Sequence, residues 1–314
     1  MRVVVTGAAG FIGSQVAGAL AGAGHEVLAV DAPTRSLAPE IAARTWALLA
    51  ETPGVTPIEA DLAEDDLTKL GEADTVVHLA GRPGVRSSWG PGEAVVHRDN
   101  VTATRRLLEA CAERRPRVIV ASSSSVYGSA RDRPHREDAP LAPASPYAHS
   151  KAEVERLTVR AARDGLPAVL LRYFSVYGPR QRPDMAFHRF IEAALNGRPL
   201  PVFGDGHRSR SFTHVRDVVA ATVTAAGAEL PPGIAINIGH PEPVSVRTAI
   251  GLITGALGVT AEIRAEKPVA GDAERTWADT GRAARLLGWS ARTGLADGLR
   301  DQIAWHRSLR VGAR

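Results

Sequence analysis

A short apolar strand, Arg2-Val3-Val4-Val5, runs directly into Thr6-Gly7-Ala8-Ala9-Gly10-Phe11-Ile12-Gly13 and then into an alanine-rich helical stretch reaching about residue 23. Strand, glycine turn and helix in that order constrain the fold more than any other segment. Glycine tolerates the tight, left-handed backbone that such a turn needs, and it lets other groups approach the main chain closely. Further valine- and isoleucine-rich strands are expected over 26–30, 55–60, 74–79, 117–122, 168–174 and 235–239, with helical stretches between them. This alternation predicts an α/β protein with a doubly wound parallel sheet, a Rossmann arrangement with ligands at the carboxyl ends of the strands.

The spacing Gly7-x-x-Gly10-x-x-Gly13, with Phe11 and Ile12 in the turn, departs from the commoner Gly-x-Gly-x-x-Gly. Its place between a β-branched strand and a helix still suits a pyrophosphate resting on unpaired helix amides. Asp31 ends the second strand, where a carboxylate accepts from adenosine ribose hydroxyls and disfavours a 2'-phosphate. NAD is therefore the expected cofactor, although Arg35 stands close enough in sequence to favour the phosphorylated form. Farther on, Ser122-Ser123-Ser124-Ser125-Val126-Tyr127-Gly128 is followed by Tyr147-Ala148-His149-Ser150-Lys151. A tyrosine serves as a base near neutral pH only if its pKa falls from about 10 to about 7, roughly 4 kcal/mol of differential stabilisation. A lysine one helical turn away and an oxidised nicotinamide are the means of supplying it.

Together with Arg172-Tyr173-Phe174-Ser175-Val176-Tyr177-Gly178-Pro179-Arg180-Gln181-Arg182-Pro183-Asp184-Met185-Ala186-Phe187, these motifs resemble the extended short-chain dehydrogenase/reductase family, specifically its nucleotide-sugar 4-epimerases. The resemblance runs from residue 1 to about 289. It implies that Ser123 hydrogen-bonds the sugar 4-oxygen, Tyr147 moves the 4-hydroxyl proton, and Lys151 holds the nicotinamide ribose. It places Asp61 and Leu62 at the adenine, Ala80 and Gly81 beside the cofactor, and Asn100 as an ordering residue, Asx residues being otherwise common at helix starts. Phe203 matches a uracil contact, and Arg210 a diphosphate-binding arginine. Arg86 and Asp272 complete the expected nucleotide-sugar contacts. Many relatives carry Arg-Pro-Gly-Asp where this chain reads Val269-Ala270-Gly271-Asp272, so Arg275 or another residue has to replace that arginine.

The resemblance also divides the chain into a cofactor-binding part, 1–174 with 211–240, and a smaller mixed α/β substrate lobe, 175–210 with 241–314. It further implies a homodimer pairing helices near 93–114 and 147–163. The net charge of +4 is spread along the chain without a basic run interleaved with aromatics, which argues against nucleic acid. No apolar run approaches the ~18 residues of a membrane span, and with the first strand starting at residue 2 no secretory leader is expected. A single cysteine, Cys111, excludes an internal disulfide, and a cytoplasmic protein is expected. No metal is expected. Only three of 38 basic residues are lysines, which makes Lys151 in this slot conspicuous.

Three enzyme reactions and a non-catalytic NAD sensor fit the pattern. An intact Ser123–Tyr147–Lys151 set argues against the sensor. Ser124 and Ser125 stand where hexose 4,6-dehydratases carry an Asp-Glu pair. Ser175 stands where UDP-glucose and UDP-N-acetylglucosamine epimerases usually have Asn. The segment His78-Leu79-Ala80-Gly81-Arg82-Pro83-Gly84-Val85-Arg86 and the run through Phe187 are most similar to glucuronate 4-epimerases. UDP-glucuronate is then the expected substrate, with Arg182 on its carboxylate and Ser123, Ser124, Ser125 and Ser175 as hydroxyl donors.

Overall fold

The computed structural model describes all residues except 131, 268, 269 and 312–314. Chain order begins β1 (Arg2–Thr6), α1 (Gly13–Gly22), β2 (Glu26–Asp31), α2 (Pro39–Ala50), β3 (Val55–Glu59) and β4 (Thr75–His78). It continues with α3 (Gly92–Val96), α4 (Ala103–Ala110), β5 (Arg117–Ser123), α5 (Pro146–Arg163) and β6 (Ala168–Tyr173). Next come β7 (Val176–Tyr177), α6 (Ala186–Leu195), β8 (Leu200–Phe203), β9 (Ser209–Arg210), β10 (Thr213–His214) and α7 (Val215–Gly227). The chain closes with β11 (Ala235–Ile238), β12 (Val244–Ser245), α8 (Val246–Leu257), β13 (Ile263–Glu266), β14 (Arg275–Thr276), α9 (Gly281–Leu287) and α10 (Leu295–Val311).

Seven strands form one sheet in the order β11-β6-β5-β4-β1-β2-β3, every pairing parallel. The inner strands are buried on both faces, as helix-covered parallel sheets require. Val3 and Val5 face one apolar cluster, which includes Val16, Leu20, Val218 and Ala225 from α1 and α7. Val4 faces another, with Leu107 of α4 and Val154 of α5. The alternation follows from the two-residue period of a strand. Pro57 sits in β3 at the sheet edge, where a missing ladder donor is tolerated.

A third cluster joins α6, β8, α8 and α10 through Phe187, Phe190, Leu200, Ile253, Leu299 and Ile303. Small sheets β13-β8 and β12-β9-β14 lie in the same part of the chain. Ala283 and Leu287 of α9, with Trp289, pack instead into the first cluster beneath the main sheet. Among the described residues no helix is long and apolar enough to cross a membrane.

Candidate active site

The sheet reverses its winding between β1 and β4, and the crevice at such a switch point is where ligands bind in open α/β folds. Gly7 sits there with φ 70°, and a β-carbon on it would lie 2.6 Å from the Ala80 nitrogen. A β-carbon on Gly13 would meet the Gly7 carbonyl at 2.1 Å, so the first turn of α1 packs against the turn only because Gly13 has none. The result is a side-chain-free cradle at a helix N-terminus, a fit for a pyrophosphate. Gly7→Ala is expected to weaken NAD binding by at least about tenfold, because left-handed strain alone costs ~1–2 kcal/mol before the clash with Ala80 is counted. Calorimetric titration with NAD checks this.

A cavity of about 860 Å³ opens from this cradle. Gly7, Gly10, Phe11, Ile12, Gly13, Asp31, Asp61, Leu62, Ala80 and Gly81 line one end, and Ser123, Ser124, Ser125, Tyr147 and Lys151 its middle. Arg86, Ser175, Arg182, Phe203, Arg210 and Asp272 line the far end. Asn100 and Arg275 do not line it.

At the adenosine end, Asp31 Oδ2 accepts from the Ala9 amide at 2.8 Å and Oδ1 from the Ala32 amide at 2.8 Å. Burial raises its carboxyl pKa, and these two amides oppose the rise. Arg35, which could have welcomed a 2'-phosphate, is committed elsewhere. It reaches Asp61 at 3.2 Å and Asp99 at 3.4 Å, and Arg98 shares Asp61 at 2.7 Å.

Asn100 is not the helix-start cap that its residue type suggests. It lies in a π-helical stretch, His97–Thr102, inside a continuous helix joining α3 to α4. Its Oδ1 accepts from the Arg82 amide at 2.6 Å, while Nδ2 donates to the Arg82 carbonyl and to Ser150 Oγ at 2.9 Å. The side chain thus ties the Gly81 turn to the helix that carries Lys151. A β-carbon on Gly81 would come within 2.7 Å of Asn100 Oδ1.

Helix α5 starts where its sequence says it should. Ser145 Oγ accepts from the Ala148 amide at 3.1 Å and Pro146 takes the first turn. Tyr147 and Lys151 follow one turn apart on the cavity side. The Tyr147 phenol lies beside Ser123 at the end of β5. Burial raises the phenol pKa, and the Ser123 side chain and the Arg182 charge oppose that rise. Lys151 Nζ donates to the Ala121 carbonyl at 2.9 Å. Burial pushes the lysine down to about 8, and Glu155 opposes.

Sequence reading passed over Glu155, although its place four residues after Lys151 on one helix face was a visible signal. Glu155 is buried and takes a bidentate Arg172 at 2.8 and 2.7 Å, and Ser122 Oγ donates to it at 2.5 Å. Arg172 also donates to Tyr127 Oη at 2.6 Å, and Tyr127 donates to Asn237 at 2.8 Å. This network clamps the serine-bearing strand end to α5.

At the far end, the Arg86 guanidinium lies 3.8 Å from the Phe203 ring centroid and Arg189 at 5.4 Å. Asp272 accepts from Arg210 at 2.8 Å and from Arg208 at 3.1 Å, with Arg86 at 4.0 Å. Arg189 and Arg208 had no sequence signal, since nothing local distinguishes them from surface arginines. Val269, the position of the departing arginine, lies outside the described residues, and Arg275 begins β14 away from the cavity lining. Arg182 pairs with Asp184 through two 3.0 Å contacts, and Ser125 Oγ is buried without a partner.

Comparison with known proteins agrees with this geometry. The model of the NAD dependent epimerase/dehydratase family matches residues 3–239. The chain is 40% identical to the uncharacterized UDP-glucose epimerase YtcB of Bacillus subtilis (strain 168), over 99% of this chain and 100% of that one. It is 32% identical to the UDP-glucuronate 4-epimerase of Thermodesulfobacterium geofontis (strain OPF15), over 97% and 95%. It is also similar to the crystal structure of UDP-glucuronic acid 4-epimerase from Bacillus cereus in complex with UDP-glucuronic acid and NAD. There the TM-score is 0.95 and the identity 38%, covering 98% of this chain and 100% of that one. A dinucleotide cradle, a Ser-Tyr-Lys set beside it and a match across most of the chain agree: the protein belongs to the NAD dependent epimerase/dehydratase family.

Proposed function

We propose that this chain is an NAD-dependent UDP-sugar 4-epimerase that interconverts UDP-glucuronate and UDP-galacturonate. One observation carries the reading. A tyrosine–serine–lysine site opens into the same cavity as Arg182 and Ser175, so an acid-base group sits beside donors suited to a carboxylate. Gly7, Gly10, Gly13 and Asp31 would hold the dinucleotide, which when bound supplies a hydride acceptor and donor at the sugar C4. Tyr147 Oη takes the proton of the 4-hydroxyl and gives it back after the sugar has turned over. Ser123 orients that hydroxyl, and the Lys151 ammonium favours the phenolate. Arg86, Phe203, Arg210 and Asp272 would hold the nucleotide, with Arg189 and Arg208 beside them. Residues 1–174 with 211–240 then serve the cofactor, and 175–210 with 241–314 the nucleotide-sugar. The same reading takes the protein as a cytoplasmic homodimer joined through α3, α4 and α5.

A panel of UDP-sugars followed by NMR tests the reaction. UDP-glucuronate and UDP-galacturonate are expected to reach one common mixture without net NADH. Inversion of UDP-glucose alone would move the assignment to a neutral hexose, and no C4 inversion at all would end it. Arg182→Ala is expected to raise KM for UDP-glucuronate far more than for UDP-glucose, by a charge-assisted contact worth roughly 1.5–3 kcal/mol. Steady-state kinetics on both sugars checks this.

The pH profile follows from Lys151. Its ammonium is retained below a pKa of about 8 and lost above it, so support for the phenolate fades on the alkaline side. Turnover is expected to fall above about pH 8, read from kcat/KM against pH.

A further inference from the structure

The loop that carries Arg182 into the cavity is strained and must be held. Arg180 has φ 68°, a left-handed conformation that costs a non-glycine residue ~1–2 kcal/mol. Such a turn persists only where its surroundings over-determine it. Those surroundings include a residue far along the chain. Gln302, on the C-terminal helix α10, is fully buried, and Gln181, between Arg180 and Arg182, is 3% exposed.

The hydrogen bonds between them admit one consistent reading. The Gly178 amide can only donate, so the Gln302 atom 3.1 Å away is its carbonyl oxygen. That leaves Gln302 Nε2 to donate to Gln181 Oε1 at 2.8 Å. Gln181 Oε1 also accepts from the His188 amide at 3.0 Å, and Gln181 Nε2 then donates to the Val176 carbonyl at 3.2 Å. The His188 ring closes the loop through Nδ1, 2.8 Å from the Gln181 carbonyl. Both glutamine side chains are thereby committed, and both ends of the strained turn are fastened to α10 and to the start of α6.

We propose that Gln302 is a positioning residue for Arg182, so that the C-terminal helix sets the selectivity of the site for an anionic sugar. It touches neither substrate nor cofactor and acts through Gln181 on the placement of the guanidinium. The proposal rests on the reading of Arg182 as the partner of the sugar carboxylate.

Gln302→Met keeps length and apolar bulk while deleting both polar contacts. Gln302→Glu keeps the acceptor for Gly178 but sets a second oxygen against Gln181 Oε1, and it serves if the methionine variant does not fold. Affinities for UDP-glucuronate and UDP-glucose are measured by calorimetry in the NAD-loaded protein, for wild type, the Gln302 variant, Arg182→Ala and the double variant. The preference for UDP-glucuronate is expected to fall at least about fivefold in the Gln302 variant, the net worth of one hydrogen bond. No further fall is expected when Arg182 is already alanine. An unchanged preference, a parallel weakening of both sugars, or an equal fall in both backgrounds overturns the proposal. Should wild type bind the two sugars alike, the glucuronate reading fails instead, and hydrogen exchange over 178–185 decides the positioning role. Exchange faster by about tenfold in the variant supports it, and unchanged exchange overturns it.

Discussion

Tyr147→Phe is expected to lower turnover at least about a hundredfold, the lower range for removing a positioned acid-base group. Phenylalanine keeps the ring that lines the cavity and removes only the hydroxyl beside Ser123. NAD affinity is therefore expected to stay near wild type, because the Gly7–Gly13 cradle and Asp31 lie apart from the phenol. Measuring kcat and the NAD dissociation constant on the same preparation separates lost chemistry from lost cofactor. Near-normal turnover would remove the tyrosine from the mechanism, and a matching loss of NAD would recast it as a binding residue. The direction of its pKa shift adds a constraint. Burial holds the phenol above its ordinary value, and Arg182 and Ser123 only oppose that. A phenolate near neutral pH therefore needs stabilisation beyond these two groups.

Arg172→Leu is expected to destabilise the fold by about 3–5 kcal/mol, because it leaves the buried Glu155 carboxylate with Ser122 as its remaining partner. Denaturant unfolding would show this as a lower midpoint at an unchanged slope. Replacing both members, Glu155→Leu with Arg172→Leu, is expected to recover most of the loss, since a well-packed apolar pair often matches a buried ion pair. A double variant as unstable as the single one would mean that packing, rather than an orphaned charge, is at stake. Stability and activity are expected to part company in the double variant. Burial pushes Lys151 down to about 8 while Glu155 pushes it up. Without Glu155 the lysine titrates lower still, and the alkaline fall in turnover should move to lower pH. A profile that does not move would show that the clamp is structural only.

Much of this protein was legible locally. The runs that became β1, β2, β4, β5, β6 and β11 were apolar because strands buried on both faces must be, and their ends were marked by glycine or polar residues. Gly7, Gly10 and Gly13 announced the cradle because Gly7 takes a left-handed backbone and the other two lie close against its carbonyl. Ser145-Pro146 announced the start of α5, because a hydroxyl cap and a proline in the first turn are consequences of the amides a helix leaves unpaired. Tyr147 and Lys151 face one cavity by helical period alone. Each of these rests on physics within about ten residues.

What the sequence did not contain was distance. Gly7 needs its missing β-carbon because Ala80 comes beside it, and that follows from β4 returning next to β1. Asn100 looks like a cap by residue type, yet tertiary packing set it inside a helix to hold Arg82 and Ser150. Arg35 was ambiguous until Asp61 and Asp99 were brought to it. Gln302 meets Gln181 across 121 residues, with no periodicity to foretell it. Local steric and hydrogen-bonding preferences choose the elements and their ends. The partners of buried charges and amides are chosen by strand order and helix docking, because a buried polar group takes whichever partner the packed chain brings within reach.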